Sequence, residues 1–551
     1  MKLPLVFASL TALVAAVDPE VGLGYATYRG VPLSNAITQW LGIRYAAAPL
    51  GPLRFAAPQD PPPVDQVQPA DQHGPICLAT GAAPNHPSTS EDCLFLDVYA
   101  PSDATNDSKL PVYFFIQGGG FNSLANPNYN GSGLITAADH QIVVVTVNYR
   151  VGPYGFIASK EIVDSPSATL NNGLRDQRKA LEWVQKHISR FGGDPNHVVL
   201  GGDSAGAASI AIHLSANGGQ DKGLFHGAAA ESVSFGPVLT VEQSQYQYDN
   251  LVERLGCHST TSTSSTTLAC LRSKTSAEMQ AQNHNIPYPG LARPPLFMWN
   301  PVVDGELIQE YTYSAFEDGR FIQVPVIFGD DTNGGTVFVP RGTSNWDESS
   351  TFLQAQLPFL HHKHLERIAE LYPNRGPQFP NSGPWWRQAS NAYGDIRYMC
   401  PNLFISSMFV RHAAGVGMWN YRFNVQDPGL VAAGLGAPHT MEISAIWGPE
   451  NVRGGTPASF WPNHSNAWVV PWIQAYWTSF IRTLDPNVYR LEDSPEWRPF
   501  VDQTEDPEAT SETAKRRLLF ESRETTGMET VDQDLASRCD YFKSIGAKIQ
   551  Q

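Results

Sequence analysis

The stretch from Phe191 to Gly206 constrains the fold more than any other part of the chain. Residues His197 to Leu200 are mostly β-branched or apolar, as in a strand that is buried on both faces. The small residues from Ala205 to Ser215 predict a helix. Between the two lies Gly202 to Gly206, which matches Gly-x-Ser-x-Gly. The glycines remove Cβ atoms that would clash in a tight turn, so Ser204 is predicted to present its hydroxyl above a helix N-terminus.

Short apolar runs rich in β-branched residues recur along the chain and alternate with helical stretches, of which the clearest extends from Leu174 to Arg190. This alternation predicts an α/β fold, with a large, mostly parallel central sheet covered by helices on both faces. No internal repeat or long linker divides the chain, so we expect a single domain over residues 17–551. The runs lie at Val112 to Ile116, Ile142 to Val147, Val198 to Leu200, Gly227 to Val233, Val324 to Phe328 and Gly417 to Phe423.

The first 16 residues, MKLPLVFASLTALVAA, have the pattern of a secretory signal peptide. Lys2 precedes an apolar stretch, and Val14 and Ala16 form a small-residue cleavage site. We therefore expect a secreted protein, and no later apolar run is long enough for a membrane span. The net charge of -16, without a long basic cluster, argues against nucleic acid or an anionic membrane as partner. Nothing in the sequence indicates the oligomeric state.

Two further features agree with export. The six cysteines form an even set, as expected for disulfides in an oxidising compartment. Asn106, Asn130 and Asn463 each begin an Asn-x-Ser sequence and are candidate glycan acceptors.

A serine needs a base to remove its proton and donors to bind the oxyanion that follows attack. The strand from Val112 to Ile116 is followed by Gln117 and three glycines, Gly118 to Gly120. The backbone N–H groups of Gly119, Gly120 and Ala205 would form a three-donor oxyanion hole, whereas the alternative is a flexible glycine loop. The position of these glycines at the end of an apolar strand, upstream of the Gly-x-Ser-x-Gly motif, favours the oxyanion hole.

His439 is the best candidate for the base among 15 histidines. It lies in a glycine-rich loop after the strand-like run Gly417 to Phe423, as expected where the catalytic order is serine, acid, histidine. The cluster His361 to His364 lacks a carboxylate or cysteine at ligand spacing, so we expect a solvated helix start and no metal there.

Longer motifs give these residues a family context. The segment 191–206 and the segment 91–99, EDCLFLDVY, resemble the two signatures of the type-B carboxylesterase and lipase family, which includes the cholinesterases. Residues 41–46 and 172–177 add to the resemblance, which covers nearly the whole mature chain. It implies an α/β-hydrolase fold and ester hydrolysis through an acyl-enzyme on Ser204, with a small-molecule ester as substrate and no cofactor. It also implies disulfides Cys77–Cys93 and Cys257–Cys270, which leaves Cys400 and Cys539 for a third.

The chain departs from this family at two positions. Gln117 replaces the usual His, Tyr or Phe, a small change because the oxyanion donors are backbone groups. The more serious departure is Gly334, which stands where the family has its triad glutamate. Loss of the acid in well-studied triads lowers turnover by about four orders of magnitude.

Three hypotheses follow from Gly334. Another carboxylate, from Asp331, Asp330 or Glu442, takes over the role of the acid. Alternatively, Ser204 and His439 act as a dyad supported by Ser232. In the third, the fold serves a lyase or acyltransferase reaction, or binding and adhesion without catalysis. Because the serine, the histidine and the glycine loop are all present, we favour a hydrolase.

The segment between Cys77 and Cys93 bears on substrate size. In lipases of the resembled family this segment is a long amphipathic lid. Here, Leu78 is its only large apolar residue. The sequence therefore predicts an esterase for soluble small or medium esters.

Overall fold

The computed structural model describes residues 19–83, 86–124, 128–258, 264–374, 379–500 and 515–551. The predicted signal peptide, residues 1–16, lies outside these ranges. Within them, no helix combines the length and apolar character that crossing a bilayer would require.

A mixed sheet of eleven strands forms the centre of the fold, in the order β11-β10-β9-β8-β7-β6-β4-β5-β3-β2-β1. The strands from β10 to β5 in this order are parallel, and the strands at both edges pair antiparallel. The predicted α/β class with a mostly parallel sheet is thus confirmed. The strands are Val31–Pro32 (β1), Ile37–Arg44 (β2), Phe95–Pro101 (β3), Leu110–Ile116 (β4), Val143–Val147 (β5), Gly193–Asp203 (β6), Gly227–Glu231 (β7), Val326–Asp331 (β8), Met418–Phe423 (β9), Arg516–Phe520 (β10) and Gly527–Thr530 (β11).

The central strands are apolar on both faces because helices cover both sides of the sheet. In β4, Val112 and Phe114 belong to one hydrophobic core, whereas Tyr113 and Phe115 belong to the other. Successive side chains of a strand point to opposite faces, so a continuous apolar run supplies both cores at once.

Four long helices position the site or the sheet: Asn172–His187 (α1), Ala205–Gly219 (α2), Cys400–His412 (α3) and Val469–Thr483 (α4). The first three contribute to one core and α4 to the other. Helix α1 ends before the predicted Arg190, because a 3-10 turn at Ile188–Phe191 follows it, and Gly192, with φ of 84°, terminates that turn. The remaining α-helices are Ser132–Ala137, Gly152–Phe156, Lys160–Val163, Val241–Arg254, Ser264–Ser273, Ser276–Ala281, Thr312–Glu317, Trp346–Gln356, His362–Leu371, Trp386–Gly394, Pro428–Ala432, Ile443–Trp447 and Gln533–Ile545.

Shorter elements surround this frame. A π-helical turn, Asp395–Met399, leads into α3. Further 3-10 turns are Gly51–Leu53, Pro449–Asn451, Ala458–Phe460 and Gly546–Ile549, and the small sheets comprise Glu20–Gly22 with Thr27–Arg29 and Val67–Pro69, Ile76–Cys77 with Thr89–Ser90, and Leu239–Thr240 with Val302–Val303.

Three disulfides are present, in the pairs that the sequence led us to expect: Cys77–Cys93, Cys257–Cys270 and Cys400–Cys539. The last one spans 139 residues and ties α3 to the helix Gln533–Ile545. Of the three candidate glycan acceptors, Asn106 and Asn463 are exposed, and Asn130 is partly buried.

A buried ion pair joins the second signature segment to the helices that follow the Cys257–Cys270 disulfide. The Arg54 guanidinium donates to both oxygens of Glu91 at 2.5 and 2.6 Å, and also to the carbonyl oxygens of Leu271 and Lys274. Both charged side chains are almost completely buried. Loss of one partner would therefore leave an uncompensated charge in the protein interior.

We expect Glu91→Ala to lower the free energy of unfolding by about 3–5 kcal/mol, measured by urea denaturation. Asp92→Ala is the matched control, because it breaks the partly exposed Arg44–Asp92 pair. That change should cost about 0–1 kcal/mol. Equal losses in the two variants would contradict a special role for the buried pair.

Candidate active site

Ser204 lies at the turn between β6 and α2. Its backbone has φ of 54° and ψ of -116°, a strained conformation for a residue with a side chain. The turn is tight because Gly206 packs on β4: a Cβ atom there would lie 1.8 Å from the carbonyl oxygen of Ile116. The Ser204 N–H donates to the carbonyl oxygen of Glu231 at 2.8 Å. These contacts hold the serine at the carboxyl ends of β6 and β7.

The glycine loop after β4 lies against this turn. The Gly118 N–H donates to Oδ1 of Asp203 at 2.8 Å, and a Cβ atom on Gly118 would lie 2.8 Å from Cβ of Ser204. Gly119 and Gly120 have φ of 116° and 62°, conformations that favour glycine. Their N–H groups, and that of Ala205, have no hydrogen-bond acceptor in the described part of the chain. Three donors are therefore free beside the serine.

His439 lies in the loop between β9 and the helix Ile443–Trp447. Its ring stacks on Tyr398 at 4.2 Å between centroids and contacts the edge of Phe338 at 5.2 Å. Both ring nitrogens are buried, and neither has a hydrogen-bond partner among the described residues. Burial, and next the positive charge of Arg397, lower the pKa of His439 to about 3. The imidazole is therefore neutral near pH 7 and able to accept a proton.

A network of contacts connects the serine to the histidine loop, although no hydrogen bond joins the two side chains in the described structure. Ser232, next to the Glu231 that binds the Ser204 backbone, donates its hydroxyl to Oδ2 of Asp331 at 3.1 Å. The same carboxyl oxygen accepts the Thr440 N–H at 2.6 Å. Asp331 therefore holds the backbone directly after His439.

Asp331 belongs to a pair of buried carboxyl groups. Burial is the main cause that raises the pKa of Asp331 and of Glu442, and the charge of Glu442 raises the pKa of Asp331 further. Oε1 of Glu442 also accepts the Tyr421 hydroxyl at 2.7 Å. Burial and the neighbouring charge thus both favour the protonated form of Asp331. Neither carboxyl group bonds the His439 ring.

Asp330, a sequence candidate for the acid, lies on the opposite face of the sheet. Its carboxyl group contacts the side-chain amide of Asn402 on α3, and burial raises its pKa to about 7. Adjacent residues of a strand face opposite ways, so Asp330 and Asp331 cannot both reach the histidine loop. The expectation that Asp330 replaces the acid is therefore wrong.

Gly334 leaves room where the acid was expected. A Cβ atom there would lie 3.4 Å from Cδ2 of Tyr398 and 3.6 Å from the carbonyl oxygen of Asp331, both ordinary contact distances. Beyond that position the Tyr398 ring covers the imidazole. The Tyr398 ring thus lies against the imidazole of His439. The ring nitrogens of His439 have no charged partner among the described residues.

Sequence reasoning missed Tyr398, Phe338 and Arg397. None lies in a motif, and each reaches the site from a segment remote from Ser204 along the chain. The His361 to His364 region forms the start of a helix, and no group of metal-binding side chains occurs among the described residues.

Comparisons with known proteins agree with this geometry. The model of the carboxylesterase family matches residues 18–528. The crystal structure of Aspergillus niger EstA is similar with a TM-score of 0.89 and 40% sequence identity, over 97% of this chain and 99% of that chain. These similarities confirm the predicted α/β-hydrolase fold.

Two relatives extend the comparison. Secreted lipase 4 of Gibberella zeae is 32% identical over 507 residues, which cover 88% of this chain and 87% of the relative. The fatty acyl-CoA hydrolase precursor, medium chain, of Anas platyrhynchos is 31% identical over 518 residues, 87% of this chain and 88% of the relative. With a family model that matches nearly the whole chain and a similar fold, the chain belongs to the carboxylesterase family.

Proposed function

We propose that the protein is a secreted serine hydrolase that cleaves soluble small or medium carboxylic esters through an acyl-enzyme. The observation that carries this proposal is the strained turn at Ser204 beside a glycine loop, where the N–H groups of Gly119, Gly120 and Ala205 have no acceptor in the described chain. Such donors stabilise negative charge that develops on a carbonyl oxygen. The leader-like N-terminus and the three disulfides support secretion.

In the first half of the reaction, Oγ of Ser204 attacks the ester carbonyl carbon while His439 takes the hydroxyl proton. The carbonyl π electrons move to the oxygen, which binds the N–H groups of Gly119, Gly120 and Ala205. The tetrahedral intermediate then collapses, the bond to the alcohol oxygen breaks, and His439 returns the proton to that oxygen. The acyl group stays on Ser204.

Water completes the cycle by the same route. His439 takes a proton from the water as its oxygen attacks the acyl carbon, and the oxyanion forms again in the same hole. Collapse breaks the bond to Oγ, which recovers the proton from His439. The acid leaves, and the site returns to its starting state without a cofactor.

We further propose that Asp331 is a positioning residue and not a replacement for the triad acid. Its contact with the Thr440 N–H fixes the loop, but its carboxyl group does not bond the ring of His439. The imidazolium that forms in the transition state would therefore be correctly placed but weakly stabilised.

Asp331→Ala should lower kcat by about 10- to 100-fold, because the loop that carries His439 loses its anchor. Asp331→Asn is the matched control: an amide oxygen can still accept the Thr440 N–H, so kcat should stay within about threefold. The measurement is hydrolysis of 4-nitrophenyl butyrate, together with the melting temperature of each variant. An equal loss in both variants would mean that the carboxyl group of Asp331 acts in a way that goes beyond holding the Thr440 N–H.

The segment between Cys77 and Cys93 supports a soluble substrate. Its one large apolar side chain, Leu78, is 3% exposed and packs in the core. The described part of this segment thus has no apolar face for a lipid surface. The rate of triacetin hydrolysis should depend on the concentration of dissolved ester alone. A sharp rise in this rate above the solubility limit of triacetin would contradict this substrate class.

The proposed function is tested by incubating the folded protein with a fluorophosphonate probe. We expect one covalent adduct, mapped to Ser204 by peptide mass spectrometry, and none after thermal unfolding. A folded protein that remains unlabelled would overturn the hydrolase proposal in favour of a binding role. Labelling combined with transfer of the acyl group only to added alcohols would indicate an acyltransferase.

A further inference from the structure

Arg397 is a buried arginine next to the proposed catalytic groups. It belongs to the π-helical turn Asp395–Met399 and precedes Tyr398, the residue that stacks on His439. Its Nε donates to the Ser234 hydroxyl at 2.9 Å, and its carbonyl oxygen accepts the Phe235 N–H at 2.9 Å. These two bonds fix the side chain against the segment that follows β7.

Among the residues that the structure describes, no carboxylate forms an ion pair with Arg397. Within the described residues, four arginines are less than 5% exposed, and Arg397 is one of them. Each of the other three forms an ion pair: Arg54 with Glu91, Arg150 with Asp176 and Arg517 with Glu529. The nearest acidic residue in sequence, Asp395, pairs with Arg538 instead.

A buried charge without a partner is costly, and a ligand of opposite charge would offset that cost. The Nη1 and Nη2 groups of Arg397 make no hydrogen bond within the described chain, and both keep some contact with solvent. Two parallel donors of a guanidinium match the two oxygens of a carboxylate.

The position of the guanidinium relates it to the reacting atoms. It lies 5.7 Å from the ring centroid of Phe297, and this ring packs against Gly120 of the glycine loop. On another side it contacts Gly236, where a Cβ atom would lie 2.8 Å from Nη1. Through Phe297 the cation is thus linked to the glycine loop, and it lies near enough to His439 to help lower the pKa of the imidazole.

We propose that Arg397 binds a carboxylate of the substrate, so that the preferred esters carry a second, ionised carboxyl group. The inference rests on the proposed function and names its substrate class. A bound carboxylate would also neutralise the charge that opposes protonation of His439. The substrate would thereby supply part of the negative charge that a triad glutamate at the position of Gly334 would provide.

The first test compares wild-type kcat/KM for carboxylated esters and their neutral counterparts. Monoethyl glutarate against ethyl valerate places the carboxylate in the acyl half, and 3-acetoxypropanoate against propyl acetate places it in the alcohol half. We expect a preference of about 100-fold, mainly in KM, for the carboxylate in one of the two halves. Ratios near one in both pairs would overturn the inference.

The second test assigns the preference to the guanidinium. In Arg397→Met the preference should fall to a ratio of about one, whereas Arg397→Lys, which keeps the charge but loses the planar fork, should retain part of it. A preference that survives in Arg397→Met would overturn the assignment. Melting temperatures confirm that each variant is folded.

A binding measurement separates this inference from the proposed function. Glutarate titrated into the Ser204→Ala protein should bind by calorimetry, and binding should be lost when Arg397→Met is added. Absence of glutarate binding to the Ser204→Ala protein would count against the anion site. Fluorophosphonate labelling without carboxylate preference would refute the anion site alone. Glutarate binding without any labelling or hydrolysis would refute the hydrolase and leave the anion site.

Discussion

Gly334→Glu is expected to raise kcat for ester hydrolysis by about 10²- to 10⁴-fold, since loss of the acid costs up to four orders of magnitude in comparable triads. The backbone of Gly334 does not have a positive φ, and a Cβ atom there meets only ordinary contacts. The backbone and the Cβ atom of a glutamate therefore fit at this position. Its carboxylate would stabilise the imidazolium of His439, which now has no charged partner for its ring nitrogens.

The Tyr398 ring is the obstacle to this gain, because it lies 3.4 Å from the new Cβ position and covers the imidazole. We therefore expect a larger gain in the double variant Gly334→Glu, Tyr398→Ala. Gly334→Gln is the matched control, since it has the same shape without the charge. Equal rates for the glutamate and glutamine variants would contradict an electrostatic role for the missing acid.

The pH profile gives a second readout for this variant. The pKa of His439 is about 3, so the wild-type rate should be flat with respect to this group from pH 5 to 7.5. A carboxylate beside the ring raises the pKa of the imidazolium. In Gly334→Glu the acid limb of kcat/KM should therefore move to higher pH, where the base becomes protonated. An unchanged limb would mean that the glutamate does not face the ring.

Ser204→Ala should lower kcat by different factors in the wild-type protein and in the Gly334→Glu variant. In a complete triad, removal of the serine lowers kcat by about 10⁶-fold, but removal of the acid alone already costs about 10⁴-fold. We therefore expect a loss of about 10²-fold in the wild-type protein and about 10⁴- to 10⁶-fold when Gly334→Glu is present. Both are measured as kcat with 4-nitrophenyl butyrate.

Ser215→Ala is the control, because Ser215 lies on the same helix and its hydroxyl bonds only carbonyl oxygens one turn earlier. Its rate should stay within about twofold of the parent. A loss above about 10⁴-fold for Ser204→Ala in the wild-type background would show that another group already performs the role of the acid.

The fold could be predicted because its causes are local. The strands β4 to β9 are short apolar runs, and such runs are buried wherever helices cover both faces of a sheet. The turn at Ser204 follows from glycines that lie two residues away on either side, and the loop Gly118 to Gly120 follows from its own composition. A positive φ or a close backbone contact needs glycine, so the sequence records these positions directly.

The environment of the histidine could not be read in this way. His439 itself stands in a glycine-rich loop and follows the expected chain order, but its surroundings come from elsewhere. Asp331 contacts Thr440 across 109 residues, and Arg397 contacts Ser234 across 163. Neither contact leaves a pattern in either segment.

Chain order and local composition thus specify the α/β frame, the serine, the glycine loop and the absence of a glutamate at Gly334. Tertiary packing alone selects Asp331 over Asp330, because a strand turns adjacent side chains to opposite faces and the register decides which one meets the histidine loop. Packing also buries Arg397 with no carboxylate paired to it in the described part of the chain. Charge balance depends on which distant segments meet, and this is a property of the folded chain.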